Sequence, residues 1–350
     1  MNILHIIPRF TTGGAERLVL RYVRYQQAAG MRVSVASVRG EGELIASFER
    51  EGVEALALCG LSAWLHLRKF IRDEQIDIIH SHVFSSDVIA FFLKRSYPKV
   101  TWISTEHNVA KENSPLRQRI IRRILPAADK VIAVSPAVYQ SCLAVFRVPR
   151  ERCLLIENGI DLSEWEQSES IMRRTPVHLA SIGRLTEQKG QTYLLEALAE
   201  LRHLDWKLTL LGDGPEHEKL RGLVRVLGLA PQVFFAGVEQ HIESRMKHID
   251  IVVQPSLWEG RSLVIMEAMA AGRLVIASAP AGEGLVRHAH TGYIVRPADS
   301  VDLARTLAHA IENPEESRSL AREARAVALH SFGDEKSMER IVDCYRSYVS

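Results

Sequence analysis

No stretch of the sequence approaches the roughly 18 consecutive apolar residues of a membrane-spanning helix. The N-terminal MNILHIIP lacks both the basic lead and the long apolar core of a secretory leader. Four cysteines, Cys59, Cys142, Cys153 and Cys344, are scattered without paired spacing, which argues against a zinc knuckle and a disulfide framework alike. A reducing cytosol is the expected location, with the chain soluble or bound peripherally at the inner face of a membrane. An Asp-x-Asp triad is missing as well, so a metal held on phosphates by paired aspartates is not expected. Nor is there much net charge. Residues 1–165 hold 22 Lys and Arg against 17 Asp and Glu, and the remainder 22 against 25. The small basic excess of the first half suits an acidic partner and is far too weak for nucleic acid.

What the chain does have is alternation. Short apolar runs rich in β-branched residues alternate with amphipathic stretches, the pattern of βα units that build parallel sheets. In the first half the expected strands are ILHIIP, RVSVASV, EALAL, IDIIHSH, VTWISTEH, KVIAVS and CLLIENG, with helices such as Ala15–Ala29 and Ser62–Asp73 between them. The pattern lapses over the polar, linker-like segment Asp161–Pro176 and resumes with VHLASIG, WKLTLLG, VFFAG, IDIVVQPS, RLVIASA and GYIVRP. At 350 residues the chain suits two domains, each able to bury its own core. The expected fold class is α/β, with two doubly wound domains, 1–165 and 170–330. From Val301 onward the chain reads as helix, interrupted at NPEE and at HSFGDEK. Gly333 and Asp334 then stop one helix and cap the next, and the last helix, 334–350, could pack on either domain.

The segment PSLWEGRSLVIMEAMAAG, Pro255–Gly272, places Glu259 and Glu267 on either side of a seven-residue spacer. On one helix, at roughly 100° per residue, the second acid would point about 80° away from the first. The preceding IDIVVQPS reads instead as a buried strand ending in a turn. That puts Glu259 in a loop and Glu267 in the first turns of a helix, both addressing the space beyond the strand end where open α/β sheets bind ligands.

Three glycine-bearing corners belong to the same kind of place. In PRFTTGGAERL, Gly13 and Gly14 open a helix, either to receive an anion on free N–H groups or to make a tight turn at positive φ. In SIGRLTEQKGQTYLL, Arg184 and Lys189 share one strand-to-helix loop, where Arg as a fork and Lys as a point charge can straddle a diphosphate; a solvated basic loop is the plainer reading. In LLGDGPEHEKL, Gly212 and Gly214 make a sharp turn, Asp213 caps a helix and Pro215 takes its first position. Without paired aspartates, Arg184 and Lys189 would carry the phosphate charge themselves. HSH, at residues 80–82, sets His80 and His82 on one strand face. With no third ligand nearby in sequence, a cleft-lining strand end fits better than a metal edge.

GGAER after the first strand, TEHN at Thr105, VSP at Val134, ENGID at Glu157, IGRLTEQKG at Ile182, LLGDGP at Leu210 and the two-glutamate segment together resemble the family 4 glycosyltransferases, in order and over nearly the whole chain. The resemblance implies a GT-B fold: two Rossmann-like domains facing a cleft, 1–165 for the acceptor and 170–330 for a nucleotide-diphosphate sugar, with helix 334–350 returning to the first. It implies retaining sugar transfer with no metal and no other cofactor. Carried over by position, Arg184 and Lys189 neutralise the donor diphosphate, Glu267 accepts hydrogen bonds from the ribose hydroxyls, and Glu259 sits at the donor sugar. His107 lines the same pocket and joins these as catalytic, and Gly14 brings the first loop to the diphosphate. Gly237, Val238, Gly260, Arg261, Ser262 and Leu263 complete the donor contacts. The residue types agree with the chemistry: an oxocarbenium-like state with a departing phosphate needs carboxylates on the sugar side and cations on the phosphate side.

The chain departs from the family where Gly-Phe-Gly commonly follows the first glutamate, having Gly260, Arg261 and Ser262 instead. That change bears on which sugar is taken, with Arg261 either reading a carboxylate or phosphate or facing solvent. Glu283 in SAPAGEGLV is a further candidate contact. SPLRQRIIRRIL carries Arg117, Arg119, Arg122 and Arg123 among apolar residues with no acid, and WLHLRKFIR repeats the theme with aromatics. Such helices suit an anionic membrane surface, and with it a glycan or lipid-linked acceptor in bacterial cell-surface polysaccharide synthesis; an ordinary helix with its apolar stripe in the core would look the same. The rivals are a nucleotide-sugar epimerase of the same fold, which needs no acceptor, and a non-catalytic scaffold.

Overall fold

In the computed structural model, which describes residues 1–11, 13–165, 175–239 and 241–348, each expected apolar run becomes a strand. The first seven are β1 (Asn2–Ile7), β2 (Arg32–Ser37), β3 (Glu54–Ala57), β4 (Ile78–His82), β5 (Thr101–Glu106), β6 (Lys130–Ala133) and β7 (Cys153–Leu155). They form one sheet in the order β3-β2-β1-β4-β5-β6-β7. The next six are β8 (Val177–Ile182), β9 (Trp206–Leu211), β10 (Val233–Gly237), β11 (Ile251–Gln254), β12 (Leu274–Ser278) and β13 (Tyr293–Val295), in the order β10-β9-β8-β11-β12-β13. All strand pairings in both sheets are parallel.

Parallel sheets are covered on both faces, so their strands are apolar throughout rather than alternating. In β1, Ile3 and Ile7 enter one core cluster and Leu4 and Ile6 another. In β8, Leu179 and Ala180 divide in the same way. The strand order reverses direction between β1 and β4 in one sheet and between β8 and β11 in the other. At these two switch points the connecting helices leave on opposite faces and open a crevice beyond the strand ends.

The chain divides into one unit of Met1–Asn158 with Glu335–Ser350 and a second of Gly159–Asp334. The boundary therefore lies at residue 158 rather than near 165. The backbone explains the shift: Ile160 N donates to Phe332 O (2.8 Å) and Asp334 N to Ile160 O (3.1 Å), while Trp165 is buried and its carbonyl accepts from Arg325 Nη2 (3.3 Å). Gly333, read as a helix stop, bridges Ile160 within this pairing. Most of the linker-like segment, residues 166–174, lies outside the described residues. The last helix, Glu335–Arg346, buries Met338, Ile341, Val342 and Tyr345 in the first unit's core beside Ile3, Val19 and Val33.

Candidate functional site

In the second unit the loops after β8, β9 and β11 are joined backbone to backbone at the switch point. Gly183 N donates to Leu211 O (2.9 Å), Leu185 N to Asp213 O (3.0 Å) and Leu257 N to Gln188 O (2.7 Å). Gly212, at φ +134°, is required here, because a Cβ would stand 2.0 Å from Gly183 O. Gly190, at φ +66°, ends a 3-10 turn over Glu187–Lys189, and a Cβ there would stand 2.2 Å from Pro255 O. These glycines serve the approach of one loop to another. Asp213 does not cap the following helix: its Oδ1 accepts from the neighbouring Gly214 N (2.8 Å). That helix begins at His217, so Pro215 precedes it.

Zipping the loops together brings Lys189 Nζ to 2.5 Å from Glu259 Oε1, with Ser256 Oγ donating to the same oxygen at 2.9 Å. The side chains are 15% and 8% exposed. A charged pair this shielded interacts strongly, and neither partner is easily lost alone. Arg184 is exposed on the same loop, three residues before the turn that carries Lys189. Glu267 is half-buried on the helix Leu263–Ala270. Ser262 is the N-cap of that helix at φ −77°, its Oγ accepting from Ile265 N (3.4 Å). The serine that replaces a family glycine thus sits in ordinary backbone geometry and stabilises the helix start. Gly260 and Arg261 are half-buried in the loop before this cap, and Leu263 is half-buried as the first residue of the helix. Gly237 closes β10 at φ +70° and accepts from Gly212 N (2.7 Å), and Val238 beside it is 53% exposed. Glu283 is exposed just after the short helix Ala279–Gly282.

The first unit holds the remaining expected residues. Gly14 begins the helix Gly14–Ala28, whose N-cap Gly13 has φ −70°, so the positive-φ alternative does not apply. At the switch point between β1 and β4, His5 pairs in register with His80. The rings of His80 and His82 are 4.3 Å apart. A third histidine does therefore join the HSH pair, and only strand register reveals it. The side-chain nitrogens of His5, His80 and His82 fall within 4.8 Å of one another, a spacing a cation could use. All six nitrogens nevertheless meet protein partners. His5 Nε2 meets Gln26 Oε1 (2.9 Å), His5 Nδ1 meets His82 Nε2 (3.0 Å), and His82 Nδ1 meets His107 Nε2 (3.2 Å). His80 contacts Tyr345 Oη and, at 2.7 Å, Thr105 Oγ1. Burial lowers the pKa of both His5 and His107 to about 4, and holds His80 and His82 well below the usual histidine range. These imidazoles are neutral at physiological pH.

One turn away, the buried Asp87 accepts from Ser81 Oγ and Ser104 Oγ at 2.7 Å each, and desolvation raises its pKa to about 6. Sequence reasoning missed Asp87, His5, Gln26 and Tyr345, all of which are ordinary residues in their own segments.

Arg117, Arg119, Arg122 and Arg123 are exposed on the helix Pro115–Ile124, while Ile121 and Ile124 face the core. Part of the apolar stripe therefore packs inward, as an ordinary surface helix would. Leu116 does not and is 68% exposed. The neighbouring helices Val83–Ser96 and Gly60–Asp73 present Phe92 and Leu65, 51% and 58% exposed, close in sequence to Arg95 and Arg68.

Residues 164–327 match the family described as "Glycosyl transferases group 1", and residues 12–164 match "Glycosyltransferase Family 4". An uncharacterized glycosyltransferase of Methanocaldococcus jannaschii is 31% identical over 191 residues, 50% of this chain and 49% of that protein. The chain thus spans about half the length of that relative. A glycogen synthase of Mycobacterium tuberculosis is 27% identical over 288 residues, covering 78% of this chain and 69% of the synthase. Among solved structures, Anabaena HepE in complex with UDP and glucose superposes with a TM-score of 0.90 at 22% identity, over 99% of this chain and 100% of that one.

Proposed function

The chain belongs to the family 4 glycosyltransferases, with two parallel-sheet domains of the GT-B kind, and from that premise we propose that it transfers a sugar, with retention, from a nucleotide-diphosphate donor to a glycan or lipid-linked acceptor. The observation that carries this reading is the Lys189–Glu259 pair at the switch point of the second unit. Before the donor binds, each charge neutralises the other in a shielded site. When a diphosphate arrives it takes Lys189, with Arg184 beside it, and the freed Glu259 faces the sugar, where positive charge develops as the anomeric bond breaks. Glu267 receives the ribose hydroxyls, and His107 is read as a further participant in the reaction. Binding of UDP by the solved relative HepE supports a nucleoside diphosphate as the leaving group. Two cations and a helix start supply the charge that a metal would otherwise bring, so we read the reaction as metal-independent. Exposed Leu116, Phe92 and Leu65 among the arginines suit an anionic membrane surface at which a lipid-linked acceptor is presented.

A thermal-shift series with nucleoside diphosphates and their sugars tests the central claim, because a ligand that binds only the folded state raises the melting temperature by mass action. At least one diphosphate is expected to raise it by several degrees without added metal. No shift with any of them would overturn the reading.

A further inference from the structure

Four buried imidazoles in a row are an unusual interior. Water is nearly excluded from them: His5, His80 and His82 are 0% exposed, and His107 is the only one with any exposure, at 9%. Each neutral imidazole has one donor and one acceptor nitrogen, so fixing either nitrogen of one ring fixes the next ring in a chain. The starting point is Gln26, whose Nε2 donates to Tyr345 Oη (3.2 Å) and whose Oε1 is therefore an acceptor. His5 Nε2 must then carry a hydrogen, which leaves His5 Nδ1 to accept from His82 Nε2. His82 Nδ1 in turn accepts from His107 Nε2. On the other branch, Tyr345 Oη donates to His80 Nδ1, and His80 Nε2 donates to Thr105 Oγ1. With the Gln26 amide in this orientation one direction satisfies every bond; the flipped amide would reverse the whole chain and put the hydrogen of His107 on Nδ1.

We propose that Gln26, His5 and His82 form a directional hydrogen-bond relay that locks His107 as its Nε2–H tautomer, so that His107 Nδ1 is left as a hydrogen-bond acceptor for a ligand hydroxyl group at the strand ends of the first unit. The relay residues touch no substrate; they are positioning residues. This rests on the reading of His107 as part of the reaction site. The relay also explains why one residue of the C-terminal helix, Tyr345, is driven into the core beside the strand ends: it orients the Gln26 amide. A hydrophobic side chain would fill the same space but would leave the tautomer of His107 unset.

Two-bond 15N–1H correlation spectra of the full chain labelled at histidine distinguish the two tautomers directly, with the His107 signals identified by their loss in His107→Gln. The wild type is expected to show His107, His82 and His5 all as Nε2–H. His82→Leu removes the acceptor and is expected to release His107 into a mixture of tautomers, lowering kcat by ~10–100-fold, by analogy with the loss of an outer partner that orients a metal-bound imidazole, with little change in KM. His82→Asn keeps an acceptor oxygen where Nδ1 stood, so it is expected to retain the tautomer and recover most of kcat, and it serves also if His82→Leu does not fold. The relay is overturned if His107 is Nδ1–H in the wild type, if its tautomer is unchanged in His82→Leu, or if the purified protein carries one equivalent of zinc on the histidines. Should no donor support turnover at all, the functional reading fails while the spectra still decide the relay.

Discussion

At the scale of single residues, the two charges at the second switch point make a prediction that separates binding from turnover. Glu259 lies 2.5 Å from Lys189 and competes with any phosphate for it. Glu259→Gln removes the competing anion and keeps a hydrogen-bond acceptor for Ser256 Oγ. The variant is expected to bind a free nucleoside diphosphate more tightly by calorimetry, while kcat falls by ~100–1,000-fold for want of a carboxylate at the developing cation. Weaker diphosphate binding in the variant would show that the pair is only structural. Asp87 makes a second prediction, in pH. Its pKa is about 6 in the folded chain against 3.8 for an ordinary aspartate, so between those values the folded state holds a proton that the unfolded state has released. Stability on this account falls as pH rises through that window, by an amount on the order of 3 kcal/mol above pH 6. The histidines act in the opposite sense. With folded pKa values of about 4 for His5 and His107 against 6.5 unfolded, they cost stability as pH falls below 6.5. Asp87→Asn keeps the oxygen that accepts from both serines and cannot ionise. Scanning calorimetry should find its melting temperature several degrees above wild type at pH 8 and close to wild type near pH 4.

At the scale of elements, strands were legible because a doubly covered parallel sheet makes each one a short apolar run, and all of these runs became strands. Loops were less so. The corner at Gly212 reads alike in sequence whether a phosphate or another loop approaches it, and only the Gly183 carbonyl 2.0 Å from its missing Cβ decides between them. The partnership of Lys189 with Glu259 spans 70 positions and needed the fold to appear. His5 could be joined to His80 only by strand register. The basic helix Pro115–Ile124 is the case where sequence left two readings, and the structure divides it: Ile121 and Ile124 pack inward, whereas Leu116 and four arginines do not. Those outward residues give the membrane reading its test. Sedimentation with vesicles containing anionic phosphatidylglycerol should recover the protein at low salt and lose it at high salt. The double substitution Arg119→Glu with Arg123→Glu should abolish recovery at either. Equal recovery by uncharged vesicles, or none at low salt, would remove the membrane from the proposal.

At the scale of the whole molecule, the two units differ in how the chain builds them. The second is one continuous stretch, Gly159–Asp334, whose ends are tied by the bonds of Ile160 to Phe332 and Asp334 and whose sheet carries a core cluster on each face. Among the described residues, nothing in that core is borrowed from elsewhere in the chain. The first unit is discontinuous and takes Met338, Ile341, Val342 and Tyr345 from the C-terminal helix. Burying each of four such side chains contributes ~1.5–3 kcal/mol, a sum comparable with the entire stability of about 5–15 kcal/mol typical of a domain. Tyr345 is also the partner of Gln26 and His80, so its removal leaves buried polar groups unsatisfied as well. A fragment of residues 159–334 should therefore fold cooperatively and, carrying Arg184, Lys189, Glu259 and Glu267, should melt higher in the presence of the same nucleoside diphosphate that stabilises the full chain, yet transfer no sugar. A chain ending at Asp334 should show the reverse asymmetry in limited proteolysis: rapid loss of residues 1–158 and survival of the second unit. If the fragment fails to fold while the shortened chain keeps its first unit intact, the assignment of the last helix as part of the first unit's core is wrong.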